Sequence, residues 1–172
     1  MIDFENTKIA FQNKTNRDLK RAHFLFNTLA RPPVVKTGKA ITQVALTTRL
    51  PMKWIVKPTV YKQFCGGETI EECDPVVRSM AKYNVKSILD YSIERKENPE
   101  DIQAALEETL RTIENAAKNQ NIAFSVFKPT AFARSKVLEK ASSDQKLTDK
   151  EKAEINEFRK RIDTLCGAAY KH

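Results

Sequence analysis

The feature that most constrains this chain is a change of pattern after Asn84. Up to that point the apolar residues recur at helical spacing. Beyond it, two short apolar runs, "VKSILDYSIE" and "IAFSVF", flank one long amphipathic segment, "NPEDIQAALEETLRTIENAAKNQN". The segment carries its own punctuation: Asn98 caps, Pro99 takes the first helical position, acids crowd the first turn, and Asn119-Gln120-Asn121 closes it. Strands alternating with helices of that length imply parallel pairing and βαβ units. The strands are expected at about 86–91 and 122–127, with Ile122, Ala123, Phe124, Val126 and Phe127 buried. A parallel sheet is normally covered on both faces and contains several strands. Residues 85–172 have room for two to three units at roughly 30 residues each. The pattern therefore reads as the front portion of a larger α/β protein, with a helical arm over 1–84 and the first part of a strand–helix domain over 85–172.

The arm divides at its prolines and glycines. Asn16 is a plausible N-cap for "RDLKRAHFLFNTLA", in which Leu19, Ala22, His23, Phe26 and Ala30 share helical spacing. Pro32-Pro33 ends that helix. "VVKTGKAITQVALTTRL" supports a second helix, and "MKWIVKPTVYKQF" a third, kinked or broken near Pro58. Gly66-Gly67 makes a tight turn. Thr69 and Glu72 form a capping-box pattern for "IEECDPVVRSMAKYN". On the carboxyl side, "TAFARSKVLEKASS" reads as a short helix. "TDKEKAEINEFRKRIDTLCGAAY" reads as a long one, opened by Thr148 and Glu151.

Charge is unevenly placed along the 172 residues. Residues 1–67 hold 12 Lys and Arg against 3 Asp and Glu, a net +9, whereas the remaining residues hold 18 against 19, a net −1. A basic first third suits nucleic acid, an anionic membrane surface, or a merely solvated face. Trp54, Met52, Ile55 and Val56 lie near Arg49, Lys53, Lys57 and Lys62. An apolar anchor amid cations fits an interfacial helix, and helix packing explains it as well. The cysteines, Cys65, Cys73 and Cys166, form no C-x-x-C pair and have no histidine nearby. That spacing argues against a zinc site and reads as reduced thiols in a cytoplasmic protein. Two histidines, His23 and His172, give little support to a histidine dyad or metal centre. No G-x-G-x-x-G or G-x-x-x-x-G-K-[ST] cradle is present.

Lys128 is the residue that calls for chemistry. It follows the second apolar run directly, and lysine is among the residues least often buried without a partner. Either it faces solvent at a strand end or it is aimed at an anion. Asp90 and Tyr91 end the first run. Asp90 either orients a charged neighbour or satisfies backbone donors. Glu94 follows four residues on, within a charged stretch that otherwise reads as a solvated loop. Thr130 and Arg134 either face the same region or serve as a helix cap and a surface charge.

Taken in order, "QFCGGETIEECDPVVRSMAKYNVKSILDYSIE" and "IAFSVFKPTAF" resemble the start of the barrel in bacterial proline dehydrogenases. The combination of G-E-T-x-E-E, I-L-D-Y and V-F-K-P-T is far more specific than any one of the three. The resemblance implies a distorted (β/α)8 barrel, of which this chain holds a helical arm and the first two β/α units; a full barrel needs about 250 residues. It implies FAD as cofactor, oxidation of L-proline to Δ1-pyrroline-5-carboxylate, and transfer of electrons to a membrane quinone, with peripheral membrane contact. Within it, Lys128 binds the substrate carboxylate. Glu94 gates the site by pairing with an arginine that has no counterpart here, and Asp90 and Tyr91 support the barrel mouth. The flavin contacts and paired substrate arginines are likewise missing, so this stretch alone is expected to be inactive. The rival reading is a basic helical binding module for nucleic acid or protein. Against its nucleic-acid form, no helix-turn-helix or aromatic-interleaved basic motif is visible.

Overall fold

The computed structural model describes residues 3, 5–48, 56–91, 97–143 and 145–172. The chain divides into two compact units, Met1–Ser79 and Met80–His172.

In the first unit a single turn, Thr7–Ala10, precedes helix α1, Asn16–Leu29. The N-cap is Thr15, not Asn16. Its Oγ1 accepts from the Asp18 N–H, while Asp18 Oδ2 accepts from the Thr15 N–H, both at 3.2 Å. A reciprocal pair satisfies two orphan donors where Asn16 could satisfy one. Leu25 is buried, Leu19 and Ala22 are half-buried, and Phe26 on the same apolar spacing is exposed. Helix α2, Pro32–Thr47, begins at the prolines that were expected only to end α1. Proline tolerates the first turn because its missing N–H would have no partner there. Only Ala45 of α2 is buried among its described side chains.

Pro58 lies in a π-helical turn, Lys57–Tyr61, that runs into a short α-turn, Lys62–Phe64. An interrupted hydrogen-bond ladder of this kind is a usual response to proline. Phe64 meets Phe26 edge to face, with ring centroids 6.0 Å apart. The chain then turns at Gly66-Gly67 into α3, Ile70–Ala81. A Cβ on Gly67 would lie 2.6 Å from Glu72 Cβ and 2.8 Å from the Cys73 nitrogen, so only glycine fits. Thr69 Oγ1 accepts from the Glu72 N–H at 3.2 Å. The Glu72 carboxylate reaches one residue further back than in a standard box, to the Glu68 N–H at 2.9 Å. Lys57 Nζ lies 3.4 Å from Glu68 and 3.7 Å from Glu72. The "GETIEE" run is thus an N-cap that also clasps the π-turn.

In the second unit the chain turns at Asn84, whose φ of 58° is left-handed, a conformation asparagine tolerates better than most residues. Strand β1, Ser87–Leu89, pairs in parallel with β2, Ile122–Ser125. Both are shorter than the expected 86–91 and 122–127. Between them runs α4, Pro99–Lys118, with the Asn98 side chain accepting from the Glu100 N–H at 3.1 Å. After β2 a 3₁₀ turn, Pro129–Ala131, leads to α5, Ser135–Ser142, and then α6, Asp149–Tyr170. Thr148 and Glu151 form the expected reciprocal cap on α6.

Helix α4 packs on α6 and on β2. Ala105 and Ile113 of α4, Leu165 of α6, and Ala131 and Phe132 form the buried centre. Phe127 stacks edge to face on Phe132 at 5.6 Å. Two tethers bind α5 and the turn before it to α6. Arg134 donates from its backbone N–H and guanidinium to Glu154, at 2.6–2.9 Å, and Arg161 donates to the Phe132 carbonyl at 3.0 Å.

The expectation of a buried second strand is corrected. Ile122 is buried and Phe127 half-buried, but Ala123, Phe124 and Val126 are exposed. Among the described residues the sheet has two strands, and the register slips between Ser87 and Ile88, so that Ile88 sits opposite Phe124. These partners are 50% and 69% exposed. The described helices of the second unit leave that face bare.

Candidate functional site

Parallel pairing sets the carboxyl ends of β1 and β2 side by side. Asp90 follows β1 directly, and Lys128 lies three residues past the end of β2. Lys128 keeps an extended backbone, with φ −103° and ψ 121°. Residues before proline are biased to this region by the proline ring. Its carbonyl accepts from the Ala131 N–H at 2.9 Å, closing the 3₁₀ turn. Ala131, Phe132 and Ala133 immediately beyond are buried in the core. The backbone of Lys128 is therefore fixed by the packing of the residues that follow it.

The Lys128 ammonium lies 3.0 Å from Asp90 Oδ2, and the two side chains are 42% and 39% exposed. The amine is thus directed at the carboxyl rim of the sheet, where Asp90 orients it. A cation and a carboxylate in hydrogen-bond contact suit a ligand that itself carries both charges. The pair is formally neutral, so an incoming anion must share or displace Asp90 to gain full attraction from Lys128. Tyr91 is exposed beside Asp90.

Glu94 lies outside the described residues, as do Arg49, Met52, Lys53, Trp54 and Ile55 of the membrane-contact reading. Arg134 is held by Glu154, and Thr130 is exposed in the 3₁₀ turn. Among the described residues no group of histidine, cysteine, aspartate and glutamate is arranged to hold a metal. The cysteines are free. Burial, then Glu72 and Cys65, push the Cys73 thiol up, away from the thiolate form that a nucleophile needs. Burial, followed by Cys65, Glu68, Glu72 and Cys73, likewise pushes the Tyr61 hydroxyl up.

Two arrangements lie beyond what the sequence shows by itself. The Lys57 clasp on Glu68 and Glu72 depends on the π-turn, although the G-E-T-x-E-E spacing carries its signal. The Lys128–Asp90 contact depends on the strand register.

No family model matches the chain, and no solved structure matches it. Curated relatives do. The chain is 38% identical over 95 residues to the protein named proline dehydrogenase 1, mitochondrial, of Caenorhabditis elegans; the match takes in 54% of this chain and 15% of that one. The protein of the same name from Dictyostelium discoideum is 36% identical over 94 residues, 54% of this chain and 16% of its own length. That of Bos taurus is 30% identical over 105 residues, 59% of this chain and 18% of its own. This chain is a relative of the proline dehydrogenases. The relationship covers over half of the chain and less than a fifth of each of these proteins. Proline dehydrogenases are oxidoreductases, and the names of these three place them in mitochondria. No described helix of this chain is long and apolar enough to cross a membrane.

Proposed function

We propose that this chain is part of an FAD-dependent proline dehydrogenase, comprising a helical arm and the first two β/α units of a (β/α)8 barrel. In that reading the protein oxidises L-proline to Δ1-pyrroline-5-carboxylate and passes the electrons to a quinone at a membrane surface. Bound flavin supplies the hydride acceptor. The rim residues suit the substrate better than the flavin: a lysine–aspartate pair matches a small zwitterion, and nothing among the described residues there is shaped around a dinucleotide's phosphates.

The observation that carries the reading is the Lys128 ammonium fixed at the carboxyl end of two parallel strands, 3.0 Å from Asp90. In (β/α)8 enzymes this end of the strands carries the chemistry. Lys128 binds the proline carboxylate and so orients the ring. Asp90 holds the ammonium at the rim until substrate arrives. Alignment of this kind lowers the barrier by limiting the bound geometries to reactive ones. Glu94 gates the site in the same reading, and Tyr91 with Asp90 supports its mouth. In the same reading the 172-residue stretch by itself is expected to be colourless and inactive.

The test is proline-dependent reduction of a quinone analogue by the longest reading frame of the gene, with and without Lys128→Met. Loss of a charged hydrogen bond of about 1.5–3 kcal/mol raises KM for proline roughly ten- to hundredfold. An unchanged KM removes Lys128 from the substrate site. No proline-dependent turnover by the parent protein removes the reading altogether.

A further inference from the structure

Two cysteines flank the Gly66-Gly67 turn and have no part in the reading above. Cys65 ends the short α-turn Lys62–Phe64 in extended backbone, φ −117° and ψ 139°, and is exposed. Cys73 is half-buried near the start of α3. Both are free thiols.

The fold brings them to the same place. A Cβ built on Gly66 would lie 3.3 Å from Cys73 Sγ and 3.9 Å from its Cβ. The Cys73 sulfur therefore rests over the residue next to Cys65, and because that residue is glycine no side chain stands between them. Charge tells the same story. Burial, then Cys65, Glu68, Glu72 and Cys73, raise the Tyr61 hydroxyl, and burial, then Glu72 and Cys65, raise the Cys73 thiol. Each thiol is within electrostatic reach of the other.

We infer that Cys65 and Cys73 form a reversible disulfide that locks the turn leading into α3. A disulfide joins Cα atoms up to about 6.8 Å apart, and rotation about the Cys65–Gly66 link closes the pair. The co-reactant is a low-molecular-weight disulfide. Exposed Cys65, as its thiolate, attacks one sulfur of that molecule, breaks its S–S bond and releases one small thiol. Cys73 then attacks the Cys65 sulfur of the mixed disulfide, so the second small thiol leaves and the protein bridge forms. Two protein thiols are oxidised, one small disulfide is reduced, and the two cysteine protons end on the thiols released. Burial suits Cys73 to the resolving role, since it keeps the thiol protonated until Cys65 has been capped beside it. The bridge closes the stretch that holds Gly67, Glu68, Thr69 and Glu72, and so clamps the N-cap of α3 and its clasp on Lys57. The inference stands on the first unit alone and does not depend on the proposed activity.

Equilibration of the full chain with glutathione and glutathione disulfide tests it. Trypsin cuts after Lys62 and Arg78, so both cysteines fall in the peptide 63–78. The bridge reads as that peptide about 2 Da lighter than its dithiol form, and dithiothreitol restores the mass. At fixed glutathione, the folded protein closes the bridge at about tenfold less glutathione disulfide than the same chain in urea, because folding holds the sulfurs together. By linkage the bridge stabilises the fold by the same factor, and the oxidised protein melts above the reduced one. Cys73→Ser stalls at the mixed disulfide on Cys65, Cys65→Ser removes the light peptide, and Cys166→Ser changes neither. Absence of the light peptide from folded protein overturns the inference. So does an equal requirement for glutathione disulfide in urea, a bridge that runs to Cys166 instead, or an oxidised form that melts no higher than the reduced one.

Discussion

The two units answer opposite problems. In the second, charges are matched: Lys128 with Asp90, Arg134 with Glu154, Lys140 with Glu151, Arg111 with Glu108, Lys160 with Glu157. Its interior gathers Ala105, Ile113, Ala131, Phe132 and Leu165 into one buried cluster. In the first, the cations on α1 and α2 stand largely alone, and full burial reaches only Leu25, Ala45 and Val77 among its described residues. One unit is built to hold a shape around a rim. The other has positive potential and apolar surface to offer, and correspondingly little interior of its own.

The contrast breaks most visibly in the cores. Phe132→Ala removes a fully buried ring and costs about 3–5 kcal/mol, read by urea unfolding. Leu25→Ala costs about 2 kcal/mol, since its site is shallower. Equal costs would mean that the first unit is as well packed as the second. Next comes the turn. Gly67→Ala forces a methyl into the Glu72–Cys73 backbone and costs about 1–3 kcal/mol.

Acid separates the units more gently. Side-chain bonding to Lys140, with two hydrogen bonds from Thr148, holds the Glu151 carboxyl at about 2, below its ordinary 4.5. Glu154 resists burial and is also lowered, by Arg134. Both carboxyls are therefore depressed by folding. The stability they confer is present above about 4.5 and is lost as pH falls through the folded values. In the first unit Asp18 is lowered by its Thr15 bonds. Melting followed from pH 6 to pH 2 is expected to show α6 loosening in this window, and Glu151→Gln to flatten the profile. The smallest effect has the opposite sign. A Cβ at Gly38 meets nothing within 4 Å, so Gly38→Ala stabilises α2 by about 0.5–1 kcal/mol.

What the sequence made legible was local. The caps on α4 and α6 need only residues two or three apart, and Asn98 and Thr148–Glu151 are readable for that reason. The Thr15–Asp18 box has the same range, yet Asn16 beside it is the more familiar capping residue and masks it. Pro32-Pro33 reads equally as a stop or a start, and only the following helix decides. The exposure of Phe124 depends on what covers the sheet, which no local pattern encodes. Strand lengths likewise depend on the register slip at Ser87 and Ile88. The Lys128–Asp90 contact joins residues 38 apart through that register, so the sequence could name both groups without bringing them together.

Lysine's long, four-torsion stem normally sweeps many rotamers, and freezing it costs about 2 kcal/mol of side-chain entropy. By tethering the Lys128 tip, Asp90 shifts part of that ordering into folding, before any guest is present. A visiting anion would then meet a preset amine, and the cost that remains to it is enthalpic: loosening one short contact with a carboxylate. Recognition at such a rim is an exchange of partners for a side chain already in position.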